Sequence, residues 1–158
     1  MNEISIARDK NNLGHNNAAA LVKKAINMVL EAEGIENACV VSVLFTDDEG
    51  IRKLNRDYRD VDSSTDVLSF PMAELVPGGF NPDDCQWDYE LDMPILGDVV
   101  INLDRCAQQG EELGHGFERE VMYLTVHSIL HLLGYDHVDE GEMKAQMRAR
   151  EKAIMGDE

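Results

Sequence analysis

The segment 127–137 contains three histidines whose spacing can build a metal site. His127 and His131 are four residues apart in an apolar run, so in a helix their Cβ atoms lie on one face, about 6 Å apart. Gly134 can adopt the left-handed conformation that ends a helix, which turns His137 back toward the pair. Three imidazoles with one open position are typical of catalytic zinc. The spacing therefore predicts one Zn²⁺ per chain, bound by His127, His131 and His137.

The alternative is that these histidines are core residues with hydrogen-bond partners. A single histidine on an apolar face is usually of that kind, but three of the chain's five histidines occur in this segment. Residues 121–133 are apolar on nearly every side, which predicts a buried central helix. Two buried imidazoles cost free energy unless something satisfies them, and we therefore favour metal binding.

The residue after the first histidine separates this motif from the zinc peptidases. Peptidases with this spacing carry a glutamate there, which acts as general base toward the metal-bound water. Here the position is Ser128, whose hydroxyl cannot take that role near neutral pH. Peptidase chemistry is therefore disfavoured, although the metal geometry is retained.

Length, charge and cysteine content limit the class of protein. A chain of 158 residues is expected to form one domain, 1–158, with its own core. The first residues do not resemble a signal peptide, and no apolar run is long enough to span a bilayer. The odd count of cysteines, Cys39, Cys85 and Cys106, suits reduced thiols in the cytoplasm. The net charge of −17 argues against broad binding to nucleic-acid backbones, although a local basic cleft is compatible with it.

Hydrophobic periodicity predicts four strands and about five helices. The predicted strands lie near 4–6 and at 38–45, 67–71 and 96–101. The first predicted helix covers 18–33, and the second begins at a capping box formed by Thr46 to Glu49. The third runs from Asn102 or Asp104 to Leu113, the fourth covers 121–133, and the fifth is capped by Asp139. The expected inward-facing residues are Ile51, Leu54 and Tyr58 on the second helix and Met143, Met147 and Ile154 on the last, where Glu140 pairs with Lys144 outside.

Residues 74–94 interrupt this regular pattern. They contain three of the four prolines, two adjacent glycines and the only tryptophan, and no period runs through them. We expect an irregular, partner-facing excursion, across which the strands at 67–71 and 96–101 can pair in antiparallel fashion.

Four segments together carry a family resemblance. They are Tyr58-Arg59, residues 65–71 (Thr-Asp-Val-Leu-Ser-Phe-Pro), residues 97–101 (Gly-Asp-Val-Val-Ile) and the three-histidine motif. Their order and spacing closely resemble the YbeY family of bacterial endoribonucleases over essentially the full chain. The resemblance implies a metal-dependent hydrolase of single-stranded RNA that acts in ribosomal RNA 3′-end maturation and ribosome quality control. It also implies an α/β (α+β) fold, in which about five helices flank a small mixed sheet of four strands. The zinc ligands that it implies are His127, His131 and His137, with a functional Arg59 and the ribosome as partner.

The chain departs from the family pattern at three places. Ser128 stands where the family usually has glycine, and because both are small the site is expected to tolerate the change. Ser64 replaces the usual proline before Thr65-Asp66, which is expected to loosen that turn. The acidic excursion over 76–92 is longer than is typical.

Phosphodiester hydrolysis needs a nucleophile and stabilisation of charge on the phosphoryl oxygens. Zinc can lower the pKa of bound water to about 7, or polarise a phosphoryl oxygen while the RNA 2′-hydroxyl attacks. Arg59 offers a planar, permanently charged fork, which we expect to clamp the scissile phosphate opposite the metal. The alternative for Arg59 is an ion pair with Asp57, Asp60 or Asp62.

Other polar residues near these motifs have structural and functional interpretations. Asp136 either holds a histidine N–H or caps the turn after the helix, and we favour the cap. Asp66 and Asp98 border strands and are expected to tie down loops, with Asp98 as reserve proton carrier if it reaches the cleft. Ser69 is expected to face outward from its strand, and His115 to be a loop residue without a metal role.

Two other classes of function stay open. A zinc hydrolase acting on peptides would need a glutamate brought to the metal from elsewhere in the chain. A ribosome assembly factor with a structural metal is consistent with the charge of −17, since it could contact basic ribosomal proteins. The identity of the metal is also open, because nickel, copper or cobalt can occupy the same imidazole set.

Overall fold

The computed structural model describes residues 1–136 and 141–156. Five strands and five α-helices lie in this part of the chain, with one short 3₁₀ turn at Pro82–Asp84. The strands are β1 (Glu3–Arg8), β2 (Val40–Thr46), β3 (Val67–Pro71), β4 (Gln86–Asp88) and β5 (Met93–Asn102). The helices are α1 (Ala18–Ala32), α2 (Asp48–Arg59), α3 (Leu103–Leu113), α4 (Gly116–Leu132) and α5 (Glu142–Met155).

The strands form one mixed sheet in the order β1-β2-β5-β3, and β4 pairs with β5 beside this path. β1, β2 and β5 are parallel, whereas β3 runs antiparallel to β5, with Val67 opposite Ile101 and Pro71 opposite Gly97. The mixed α/β fold and the antiparallel pairing across the excursion are therefore confirmed.

The sheet has one strand more than the four expected, because β4 lies inside the excursion predicted to be irregular. Its three residues pair with Met93–Ile95 through a tight turn. The Asp88 carboxylate stabilises this turn by accepting hydrogen bonds from the backbone N–H groups of Glu90 and Leu91, both at 3.0 Å. A strand of three residues is too short to show alternation, which explains why periodicity did not predict it.

α4 is the central helix of the fold, as its apolar sequence predicted. It packs against α1, α3 and α5 and against strands β3 and β5. Val126, Ile129, Leu130 and Leu132 are completely buried. Each such side chain contributes about 1.5–3 kcal/mol through burial, so α4 is held by packing whether or not a metal is bound.

The start of α2 differs from the expected capping box. Thr46 completes β2, and the cap is Asp47, whose carboxylate accepts a hydrogen bond from the backbone N–H of Gly50 at 2.9 Å. Tyr58, predicted to face inward, is 72% exposed. Its ring instead meets Phe70 edge-on, with centroids 5.9 Å apart, at the rim of the sheet.

The last helix also differs in part from expectation. Met147 is buried and Ile154 packs against the core, as predicted, but Met143 is exposed. The predicted cap Asp139 and the predicted pair partner Glu140 lie outside the described residues.

All three cysteines are free thiols, and Cys39 and Cys106 are buried in the core as expected. Burial raises the pKa of the Cys39 thiol to about 12, and it also raises the pKa of Cys106 and Cys85. Among the described helices, none combines the length and apolarity that crossing a bilayer requires.

Candidate active site

A cleft of about 640 Å³ lies between α4, β3 and the end of α2. Its polar lining comprises Tyr58, Arg59, Thr65, Asp66, Ser69, His127, His131 and Asp136. The structure thus brings the predicted arginine and two of the three predicted metal ligands to one cavity. The third predicted ligand, His137, lies outside the described residues.

His127 and His131 lie one turn apart on the cleft side of α4. Their ring centroids are 4.8 Å apart and their planes are inclined by 82°. Two imidazoles at this spacing suit one ion of zinc's size, whose bonds to histidine nitrogen are about 2.0–2.1 Å long. Within residues 1–136 and 141–156 no three His, Cys, Asp or Glu side chains form a group that could hold a metal. The zinc site therefore stays a prediction that requires His137.

The turn after α4 has the geometry expected of Gly134. This glycine has a φ of 104°, and its N–H donates to the carbonyl of His131 at 3.0 Å. The N–H of Tyr135 donates to the carbonyl of Leu130, also at 3.0 Å, which completes a Schellman motif. The motif reverses the chain, so that Asp136 lines the cleft.

A buried glutamate that sequence analysis missed contacts the first histidine. Glu151 on α5 is 6% exposed, and its Oε2 lies 2.5 Å from His127 Nδ1. Its Oε1 accepts a hydrogen bond from the Tyr123 hydroxyl at 3.0 Å. Burial alone would raise the pKa of Glu151, but the hydrogen bonds from His127 and Tyr123 outweigh it, and the pKa lies below its ordinary value. The signal in the sequence was an acid one turn after Met147, on the face of α5 that was predicted to be apolar.

Arg59 is the last residue of α2, and its side chain is exposed at the cleft. Two of the carboxylates that were expected as alternative partners are already paired. Asp57 pairs with Arg56 at 3.4 Å, and Asp62 pairs with Arg52 at 2.8 Å. Arg59 itself forms no ion pair with any residue in the described ranges.

The segment that joins α2 to β3 is fixed along the cleft by side-chain hydrogen bonds. Asn55 donates to the carbonyl of Ser63 at 3.0 Å. Ser64, which was expected to loosen this turn, donates to the Asp48 carboxylate at 2.8 Å, and Asn102 donates to the same carboxylate at 2.7 Å. Ser64 therefore helps to fix the turn before Thr65 and Asp66, both of which line the cleft.

The remaining polar candidates divide between the cleft and other places. Ser69 lines the cleft, so the expectation that it faces outward was wrong. Asp98 lines a separate cavity of about 660 Å³ with Ser42, and burial raises its pKa. His115 precedes α4, with its Nε2 2.7 Å from Glu120 Oε1, and it does not line the histidine cleft. Asp98 is therefore not placed to act as the reserve proton carrier in the histidine cleft.

Ser128 lies on the buried side of α4 rather than in the cleft. Its hydroxyl has no hydrogen-bond partner among the described residues. The carboxylates of the cleft lining, within the described ranges, are Asp66 and Asp136. Glu151 lies behind His127, with both oxygens in hydrogen bonds, and no glutamate within residues 1–136 and 141–156 lines the cleft as a peptidase base would.

Removing the Ser128 hydroxyl is expected to stabilise the protein. An unsatisfied buried hydroxyl is costly and alanine has the higher helix propensity, so Ser128→Ala should raise the free energy of unfolding by about 1 kcal/mol. Urea unfolding measures this change. The matched control is Thr125→Val, because the Thr125 hydroxyl does donate, to the carbonyl of Val121 at 2.7 Å. Thr125→Val should lower the free energy of unfolding by about 1 kcal/mol. A lower free energy of unfolding in Ser128→Ala as well would contradict the prediction.

Comparison with known proteins places the chain in a family. The family model described as Endoribonuclease YbeY matches residues 3–157. A protein named Endoribonuclease YbeY from Caldanaerobacter subterraneus subsp. tengcongensis is 54% identical over 136 residues, which cover 86% of this chain and 84% of that protein. One of the same name from Thermoanaerobacter sp. (strain X514) is 50% identical over 139 residues, covering 88% and 86%.

A solved structure agrees with this result at the level of the fold. The solution structure of TM1509 from Thermotoga maritima matches with a TM-score of 0.58 and 24% sequence identity, covering 97% of this chain and 89% of that one. Because the family model spans nearly the whole chain and the identities to its members are high, this protein belongs to the endoribonuclease YbeY family.

Proposed function

We propose that the protein is a metal-dependent endoribonuclease of single-stranded RNA that acts in ribosomal RNA 3′-end maturation and ribosome quality control. Membership of the family supports the endoribonuclease activity. The observation that carries the proposal is that Arg59, His127 and His131 line one cleft. Its volume of about 640 Å³ lies within the usual range of ligand sites, about 300–1,000 Å³.

His127, His131 and His137 are the residues proposed to hold one Zn²⁺. The ring spacing of the first two and the Schellman turn that leads toward the third fit such a donor set. When bound, zinc supplies a Lewis acid that polarises a phosphoryl oxygen or acidifies a water molecule. The nitrogen donors also suit cobalt, nickel or copper, so metal content has to be measured.

Arg59 is proposed to bind the scissile phosphate. A guanidinium donates two parallel hydrogen bonds to phosphate oxygens and stabilises the charge that grows on them in the transition state. Asp57 and Asp62 are paired with Arg56 and Arg52, so neither of these two acids is paired with Arg59. The guanidinium of Arg59 can therefore carry positive charge at the cleft although the chain has a net charge of −17. The acidic composition is therefore compatible with local RNA binding.

Arg59→Ala is expected to lower the rate of RNA cleavage by about 10²–10³-fold, the usual effect of removing one group that stabilises the transition state. Because Arg59 is exposed, stability should stay within about 0.5 kcal/mol and zinc content should not change. Single-turnover cleavage of an end-labelled unstructured RNA measures the effect. Lys53→Ala is the matched control, since Lys53 is an exposed cation of the same helix that does not line the cleft. Cleavage by Arg59→Ala at the wild-type rate would contradict the proposal that Arg59 binds the scissile phosphate.

The whole proposal is tested by elemental analysis together with cleavage assays on the purified protein. We expect one zinc per chain, cleavage of unstructured RNA, loss of cleavage with a chelator, and no cleavage of casein. The product ends identify the nucleophile: a 2′,3′-cyclic phosphate indicates the 2′-hydroxyl, and a 5′-phosphate indicates water. Cleavage of casein but not RNA would overturn the proposal in favour of a peptidase.

A second candidate, a ribosome assembly factor with a structural metal, is favoured by the net charge of −17. Such a protein could contact basic ribosomal proteins without cleaving RNA. It predicts that loss of a metal ligand unfolds the chain, whereas the endoribonuclease proposal predicts a folded, inactive protein.

A further inference from the structure

A chain of hydrogen bonds joins Tyr123, Glu151 and His127 behind the cleft. The Tyr123 hydroxyl donates to Glu151 Oε1 at 3.0 Å, and Glu151 Oε2 lies 2.5 Å from His127 Nδ1. Glu151 is almost completely buried, and it lies on α5 whereas the other two residues lie on α4. A buried carboxylate at this place therefore fixes the ring of His127 from a second helix.

The contact determines which nitrogen of His127 carries the proton in the neutral ring. An ionised carboxylate only accepts hydrogen bonds, so Nδ1 must be the donor. The Nε2 atom then carries the lone pair, which is the form of imidazole that binds metals. Glu151 does not line the cleft and His127 does, so the carboxylate contacts the ring from the side away from the cavity.

We propose that Glu151 is a positioning residue that holds His127 in the Nδ1–H tautomer, with Nε2 as ligand, and that Tyr123 in turn orients Glu151. This inference rests on the proposed metal site at His127. Histidine ligands usually donate their second N–H to a carboxylate or carbonyl, and loss of such a partner typically lowers metal affinity about 10–100-fold. Glu151 therefore tunes zinc affinity without contacting RNA or the ion.

A second histidine–glutamate pair, at the N-terminal end of α4, provides a matched control. His115 Nε2 lies 2.7 Å from Glu120 Oε1, and Glu120 is 3% exposed. Both pairs join a histidine to a buried glutamate, but the second uses Nε2 rather than Nδ1, and its histidine does not line the cleft. Glu120→Gln thus reproduces the cost of neutralising a buried glutamate without touching the proposed ligand.

The test measures zinc affinity by competition with a chromophoric chelator. We expect Glu151→Gln to weaken zinc binding about 10–100-fold and Glu120→Gln to leave it within about threefold. Tyr123→Phe, which removes only the outer hydrogen bond, should give a smaller loss in the same direction. Urea unfolding of the metal-free proteins shows whether the two glutamine variants lose similar stability. Equal zinc affinities for Glu151→Gln and Glu120→Gln would overturn the inference.

A second readout needs neither a variant nor a metal. Nitrogen-15 NMR of the metal-free wild type, at a pH where imidazole is neutral, should show His127 as the Nδ1–H tautomer. A dominant Nε2–H tautomer would overturn the inference even if Glu151→Gln failed to fold. A wild type that binds no zinc would instead refute the proposed function, whereas a zinc-binding, RNA-cleaving wild type with an unaffected Glu151→Gln variant would refute only the role of Glu151.

Discussion

Replacing His131 with alanine is expected to give a folded protein that cleaves RNA no faster than chelator-treated wild type. His131 lines the cleft one turn from His127, and its loss leaves the proposed donor set with two imidazoles. Two ligands are too few for a tightly bound zinc of the tridentate catalytic kind. Elemental analysis and single-turnover RNA cleavage, performed on the same preparation, measure both losses.

The fold should survive this substitution because other faces of α4 carry the packing. Ile129, Leu130 and Leu132, which flank His131, are completely buried. His115→Ala is the control, since it removes a histidine beside the same helix but outside the cleft, and it should keep zinc and activity. Collapse of His131→Ala, seen as lost cooperative unfolding, would favour a structural metal and the assembly-factor candidate.

Gly134→Ala is expected to destabilise the protein by about 3–5 kcal/mol, among the largest effects of a single methyl group. With φ at 104°, an L-residue is strained here. A Cβ atom would also lie 2.1 Å from the Leu75 carbonyl oxygen and 2.7 Å from its carbon. Because these are backbone atoms, a change of side-chain rotamer cannot relieve the clash. Urea unfolding of the metal-free protein measures the loss.

Gly114→Ala separates the two causes of that loss. Gly114 ends α3 with a φ of 77°, and no atom lies within 4 Å of the position of its Cβ. This variant therefore has the conformational strain alone and should lose only about 1 kcal/mol. Equal losses in the two variants would mean that the segment at Leu75 moves aside easily.

Because the Gly134 turn leads to His137, Gly134→Ala should also weaken zinc binding.

The elements that could be predicted are those in which local pattern and tertiary role agree. The alternating and β-branched runs became strands, and the apolar run containing His127 and His131 became the buried helix α4. Gly134 ends that helix because a left-handed residue is needed there, which the chemistry of glycine alone indicates. The spacing of the histidines sufficed to place two of them in one cleft, whereas Arg59 was expected there from the family resemblance.

What could not be predicted depends on contacts between distant segments. Glu151 meets His127 because α5 folds back onto α4, and no periodicity within α5 encodes that partner. Tyr58 follows the helical period of α2, but its ring lies edge-on to Phe70 at the rim of the sheet and stays exposed. Ser69 lines the cleft because α4 and the end of α2 leave a cavity beside β3.

The position of β5 in the sheet has a consequence for the order in which the molecule can form. β2, β3 and β4 all pair with β5, which begins only at Met93, and α4 follows it in the chain. Until translation has passed this strand, its partners expose unpaired edges, which are prone to association with other chains. Pairings between such distant residues also form slowly. The cleft between β3 and α4 can therefore form only late in synthesis, after β5 and α4 have both been made.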